Sequence, residues 1–237
     1  MPNPYFRFKQ FTIYHDRCAM KVCTDSCIFG AWFAGRIAGK QSILDIGAGS
    51  GLLTLMLAQQ NEALFHAIEI DPSAFGQLKQ NVSASPRKDS ITVVEGDATV
   101  YPFPQQYDFI ITNPPFYDGD LKSDNKPINL ARHDAGLTFE RLINIIDHNL
   151  APGGSFGILL PFHRTAAFEQ IAVSAGFSLI EKMLLRQTPA HSFFRSILHF
   201  SKSGTLSPQA YELTIRNKDG KYTEDFELLM KAYYLAL

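Results

Sequence analysis

Apolar positions along this chain fall in short blocks, and the blocks alternate in kind. Five are runs of strand length, at residues 42–46, 64–70, 91–95, 107–112 and 154–160. Each is bounded by glycine, proline or polar residues, as strands of a buried sheet are. Between them lie stretches with helical length and spacing, near 51–60, 72–84, 138–150 and 164–175. Pro152-Gly153-Gly154 marks the turn from helix back to strand. Two later runs, Phe177–Leu185 and Phe193–Phe200, read as a closing antiparallel pair around the polar loop Arg186–Ser192. The tail, Thr223–Leu237, reads as a last helix with Thr223 as N-cap and Leu228, Leu229 and Tyr233 on one face. Strand–helix alternation of this sort predicts an α/β fold on a mostly parallel sheet.

Composition adds bounds to that picture. A length of 237 residues suits one α/β domain with a sizeable core. The opening Met1-Pro-Asn-Pro-Tyr-Phe-Arg-Phe has no apolar segment of signal-peptide type, and no run approaches the length of a membrane span. A cytoplasmic monomer is the expectation. The formal net charge of −1 means that any nucleic-acid site must be a local patch. Cys18, Cys23 and Cys27, with His15 nearby, match no zinc spacing and read as free thiols in a reducing compartment, with no metal expected.

The chemistry is concentrated where strands end. Asn113-Pro114-Pro115-Phe116 follows the apolar run Tyr107–Thr112. Proline fixes φ and lacks an N–H, so the Asn113 side-chain oxygen and the Pro114 carbonyl can converge on one planar NH₂ group, with Phe116 stacked on the ring that carries it. Two acceptors drawing on those hydrogens localise the nitrogen lone pair, which suits methylation of an exocyclic or amide nitrogen. The plainer reading is a proline-terminated strand entering a loop.

A second motif supplies a nucleotide-like cradle. Ser42–Gly51 is a strand that starts an Asp45-x-Gly47-x-Gly49-x-Gly51 turn ahead of the helical Leu52–Ala58. Such turns let a ligand approach the backbone. Glu69 ends the next strand, 24 residues after Asp45, where it can accept both ribose hydroxyls. Asp97 ends the third strand and can read an adenine amino group, while Asp71 before Pro72 fits a helix N-cap equally well.

Together these residues resemble the class I S-adenosylmethionine-dependent methyltransferases, over roughly residues 40–200. The resemblance implies a Rossmann-like, seven-stranded, mostly parallel sheet with helices on both faces and an antiparallel last strand. A closer resemblance runs over nearly the whole chain. The opening FRFKQF, then DRCAMKVCTDSCIFGAW, DIGAGSG, EIDP, NPPF, Ala131-Arg132-His133 and Tyr233-Tyr234 look like the bacterial valine-tRNA adenine-N6 methyltransferases. That implies methylation of the adenine at position 37, just 3′ of the anticodon. Asn113, Pro114 and Phe116 would hold the base, and Asp45, Gly47, Gly49, Glu69, Asp97 and Asn113 would bind S-adenosyl-L-methionine. Lys21, Thr24 and Asp25, in a covering segment spanning 1–40, would close over the methionine end, with residues 41–237 as the catalytic core of a single domain. Cys27-Ile28-Phe29 departs from the family pattern locally.

Substrate contacts are expected from three segments. Residues 1–21 carry Arg7, Lys9, Arg17 and Lys21 against Asp16, four cations less one acid for +3, interleaved with aromatics as in sites that hold unstacked bases. The alternative is an edge hairpin whose phenylalanines are core. The loop 117–136 carries Lys122 and Arg132, diluted by aspartates, and Lys182–Lys202 carries Arg195 among other cations without an acid. Competing functions are an rRNA guanine-N2 methyltransferase, a glutamine-N5 methyltransferase acting on a protein, and a non-catalytic binding module on the same fold.

Overall fold

The structure, a computed structural model, describes residues 3–114, 137–204 and 207–237. The chain begins with a hairpin, β1 (Tyr5–Arg7) and β2 (Thr12–Tyr14), followed by α1 (Thr24–Ala34). Then come β3 (Ser42–Ile46), α2 (Leu52–Gln60), β4 (Leu64–Glu69), α3 (Pro72–Ser83), β5 (Ile91–Glu95) and β6 (Tyr107–Thr112). After the undescribed stretch follow α4 (Phe139–Asn149), β7 (Leu150–Pro161), α5 (Thr165–Ser174), β8 (Ser178–Arg186), β9 (Arg195–Ser201), β10 (Gln209–Thr214) and α6 (Glu224–Met230).

Eight strands form one sheet in the order β10-β8-β9-β7-β6-β3-β4-β5. All neighbours are parallel except β9, which runs antiparallel to both β7 and β8. The expected strands and helices are therefore present, and the β8–β9 pair is antiparallel as read. The count and the last strand need correction. An eighth strand, β10, follows β9 and pairs parallel with β8. Only Leu213 of its six residues is buried, so this edge strand carries almost no apolar signal.

Strand β7 is also longer than its apolar run. Pro152-Gly153-Gly154 lies inside it at a register irregularity between Tyr107 and Phe109 of β6, with Gly153 at φ 77°. In α6 the Thr223 cap is as expected, its hydroxyl accepting from the Phe226 N–H at 3.3 Å. The helix is shorter than the tail, however, and Phe226, Met230 and Tyr233 are buried while Leu228 is exposed.

One face of the sheet is covered by α1, α2, α3, α6 and the hairpin, whose Phe8, Phe11 and Ile13 are core. The other face packs α4 and α5, with Phe168 of α5, over Ile110, Phe156 and Phe200. Helix α1 had no amphipathic signature because ten of its residues, Asp25 through Ala34, are buried. It lies tightly on β7: a Cβ at Gly157 would sit 2.4 Å from the Phe33 ring, so only glycine allows that approach. Both ends of α1 are pinned to the sheet by ion pairs. Just past its C-terminus, Arg36 pairs with Glu181 of β8 at 2.9 Å. At its N-terminus, Asp25 pairs with Arg195 of β9 at 2.8 Å. Among the described residues no helix is long and apolar enough to cross a membrane.

Candidate active site

The parallel strands β3, β4, β5 and β6 end side by side, and their last residues build the site. Gly47 and Gly49 have φ values of 71° and 56°, which disfavour any other residue. A Cβ built on either meets nothing within 4 Å, so the turn opens onto free space that a ligand can enter. The turn is anchored by the N–H groups of Gly47 and Ala48, both donating to the Ile68 carbonyl at 3.0 Å.

Glu69 braces this turn from the neighbouring strand. One carboxylate oxygen accepts from the Gly49 N–H at 2.8 Å and the other from the Asp71 N–H at 2.8 Å. Each oxygen keeps a further lone pair for a donor in the cleft. Asp71 is a helix cap: its Oδ1 accepts from the Ala74 N–H at 2.7 Å, with Pro72 in the first turn. Asp97 is half-buried at the end of β5, and one of its oxygens accepts from the Thr99 N–H at 2.8 Å.

Asp45 is buried at the next-to-last position of β3. Its Oδ2 accepts from the Thr54 hydroxyl at 2.6 Å and the Thr54 N–H at 3.2 Å, while Oδ1 is buried with no partner among the described residues. Burial pushes this carboxyl up to about 7, against the two Thr54 bonds that favour the anion. A buried acceptor without a donor is costly unless a ligand supplies one.

Asn113 shows the same incompleteness. Its Nδ2 donates to the Ser26 hydroxyl at 3.1 Å, and its Oδ1 is buried with no partner among the described residues. With Nδ2 turned to Ser26, the carbonyl oxygen is left for an incoming N–H. Thr112 ties β6 to β3 just before this point, its hydroxyl donating to the Ile46 carbonyl at 2.9 Å. Pro114 is buried beside it. Ser26 was not expected from the sequence; the hint it offers is a polar residue directly ahead of the apolar run 27–34.

The remaining expected residues divide. Asp25 reaches the site's rim but is engaged with Arg195, and Thr24 begins α1 beside it. Lys21 donates to the carbonyls of His15, Cys18 and Asp16 at 2.7, 3.1 and 3.2 Å, so it orders the segment ahead of α1. Lys9 donates to the Lys231 carbonyl at 2.6 Å, and Arg17 is held by Gln77 and Gln80 of α3. Arg7 is exposed on β1. With Phe8 and Phe11 in the core, the edge-hairpin reading of this segment fits better than a stacking platform. Phe116, Lys122 and Arg132 lie outside the described residues. Cys18 and Cys27 are buried, and burial pushes their thiols up to about 11 and about 12.

Comparison with known proteins points the same way as this geometry. Residues 34–171 match the methyltransferase small domain family. A protein of Dyadobacter fermentans named tRNA1(Val) (adenine(37)-N6)-methyltransferase is 43% identical over 98% of each chain. One of Phocaeicola vulgatus with the same name is 38% identical over 99% of each. Among solved structures, a protein of Agrobacterium tumefaciens described as a predicted O-methyltransferase aligns with a TM-score of 0.67 at 17% identity, covering 87% of this chain and 95% of its own. A glycopeptide N-methyltransferase with S-adenosyl-L-methionine bound aligns at 0.56 and 15% identity, covering 76% and 95%. At those identities the structural likeness establishes the class I methyltransferase fold.

Proposed function

The chain belongs to the family of tRNA1(Val) (adenine(37)-N6)-methyltransferases, and from that membership we propose that it methylates the exocyclic N6 of the adenine 3′ to the anticodon in valine tRNA. The observation that carries the reading to this site is the buried Asn113 Oδ1 just past β6, which has no partner among the described residues while Nδ2 is held by Ser26. We read the protein as a cytoplasmic monomer that uses no metal.

S-adenosyl-L-methionine, when bound, supplies an electrophilic methyl group on a sulfonium. The residues suit its donors. Asp45 Oδ1, an acceptor without a partner, fits the α-ammonium; Glu69 fits the ribose hydroxyls; Asp97 fits the adenine amino group. Gly47 and Gly49 leave the space such a molecule needs. On the acceptor side, Asn113 Oδ1 and the Pro114 carbonyl take the two N6 hydrogens of a base unstacked from the anticodon loop. Their pull concentrates electron density on N6 toward the methyl donor, and holding both reactants in line accounts for much of the rate. No side chain has to act as a strong base, since the proton leaves after methylation, when the nitrogen is acidic.

The direct test is incubation with S-adenosyl-L-methionine and unmodified total tRNA, followed by nucleoside mass spectrometry. N6-methyladenosine should rise, and mapping should place it at position 37 of valine tRNA. Methylated guanine, or no methylated nucleoside with cofactor bound, would overturn the assignment.

Two variants probe the supporting residues. Ser26→Ala removes the partner of Asn113 Nδ2, so the carboxamide can turn over. The expected result is a roughly tenfold loss of kcat, worth about 1.4 kcal/mol, with cofactor affinity unchanged and Ser26→Thr partly restoring the rate. An unchanged kcat would remove Ser26 from the acceptor site.

Asp45→Asn tests the buried carboxyl. The folded pKa lies above the unfolded value, so the stability this group contributes is present below about pH 4 and is lost as pH rises through about 7. Cofactor-free protein should melt at a lower temperature at pH 8 than at pH 5, and the variant should lose much of that difference while binding cofactor more weakly. Melting curves with equal pH dependence in both proteins would refute the assignment.

A further inference from the structure

The end of the sheet that holds the site is divided by charge. Over the β4–β5 half, segments 69–72 and 95–99 contain Glu69, Asp71, Glu95 and Asp97 and no cation. Over the β7–β10 half the sign reverses. Strands β7, β8 and β10 run parallel to β6, and β9 begins where they end, so segments 162–164, 186–195 and 215–222 share this end of the sheet with Asn113. They contain Arg164, Arg186, Arg195, Arg216, Lys218 and Lys221 against Asp219. The nearby carboxylates Glu212 and Asp25 are paired with Arg186 and Arg195, at 3.3 and 2.8 Å; Glu224 and Asp225 open the adjoining helix α6.

The arginines of this rim share one arrangement. Arg164 lies over Phe139 at 4.8 Å, Arg186 over Phe193 at 5.3 Å, Arg195 over Phe194 at 5.6 Å and Arg216 over Tyr222 at 4.2 Å. A guanidinium held by its face is positioned in advance. The edges of Arg186 and Arg195 are engaged by Glu212 and Asp25, and Arg216 gives one N–H to the Gly220 carbonyl and keeps others for oxygen acceptors. The three segments are joined into one shelf: the Phe162 N–H donates to the Phe194 carbonyl at 3.1 Å, and the Arg216 N–H to the Gln187 carbonyl at 2.9 Å. Lys218 and Lys221 are exposed beside a cleft of about 430 Å³ lined by Thr188, Pro189, Ala190, Asn217, Lys218 and Gly220. With four strand spacings between β6 and β10, the shelf extends roughly 19 Å from the acceptor site.

We infer that this arginine-on-aromatic rim carries the sugar-phosphate backbone of the tRNA next to the target adenine, so that the RNA lies over the β7–β10 half while the acidic β3–β5 half is left to the cofactor. A polyanion laid over Glu95 and Asp97 would meet like charge; over the rim it meets preset donors. This inference rests on the tRNA reading of the site and adds the direction from which the substrate comes.

The test is steady-state methylation of a valine tRNA transcript at several salt concentrations by the wild type, a Lys218→Ala/Lys221→Ala double variant, Arg216→Ala, and Lys88→Ala as an exposed control at the opposite end of the sheet. The rim variants should raise KM for tRNA roughly tenfold and lower the slope of log KM against log salt by roughly 1 per lost phosphate contact. Their kcat and cofactor affinity should stay at wild-type values, and Lys88→Ala should change nothing. Rim variants with the wild-type KM and salt slope would overturn the inference while leaving the tRNA reading intact. A wild-type enzyme that leaves the transcript unmethylated would overturn both.

Discussion

Asn113→Ala should leave the protein folded and able to bind S-adenosyl-L-methionine while cutting turnover by roughly 10²–10³, the range seen when one preorganised polar contact to a reacting centre is removed. The asymmetry follows from position. Among the described residues the Asn113 Oδ1 has no partner, so its loss breaks no bond to them, and its Nδ2 gives up the Ser26 hydroxyl. The glycine turn, Glu69 and Asp45 are held by other bonds and should be undisturbed. Single-turnover methylation alongside a cofactor titration reads both quantities. Asn113→Asp should retain a measurable fraction of the rate, because a carboxylate still accepts and the Ser26 hydroxyl can rotate to donate. Parallel loss of rate and cofactor affinity in Asn113→Ala would mean that the residue belongs to the cofactor cradle.

Glu69→Ala should do the reverse, weakening cofactor binding roughly 100-fold through the loss of charge-assisted bonds to the ribose. It should also lower stability, since the Gly49 and Asp71 N–H groups lose their acceptor, at about 1–3 kcal/mol for each that finds no other. Glu69→Gln separates the two effects. One carbonyl oxygen can still serve the turn, so the melting temperature should recover more than the affinity. Isothermal titration and thermal melts provide the comparison, and wild-type affinity in both variants would be incompatible with a ribose-binding role.

Much of this arrangement was legible in the sequence because buried parallel strands and their terminal motifs are local signals. The runs 42–46, 64–70, 91–95 and 107–112 each became a strand, and the residues ending them met at one place. What escaped has physical reasons. Helix α1 is buried nearly all round, so it lacks the periodic polar face that identifies a helix. Strand β10 buries one residue and resembles a loop. Sequence shows charge and not engagement: among the cations of residues 1–21, Lys21 and Lys9 donate to backbone carbonyls near and far in the chain, which no composition reveals. The Ser26–Asn113 and Asp25–Arg195 contacts span 87 and 170 residues, and no local pattern announces a partner that far away.

Those two long spans bear on how the enzyme comes into being on the ribosome. The glycine turn and its bracing carboxylate lie within the first third of the chain and can form early, from contacts of short range. The carboxamide is set only when α1, made at the start, is fixed between β6 and β9, and β9 is among the last elements synthesised. Non-local closure of this sort is the slow part of folding. A nascent or truncated chain ending before Arg195 would therefore have the cofactor half without the means to orient an acceptor, and competence to modify RNA would arrive late and all at once, as a property of the finished chain.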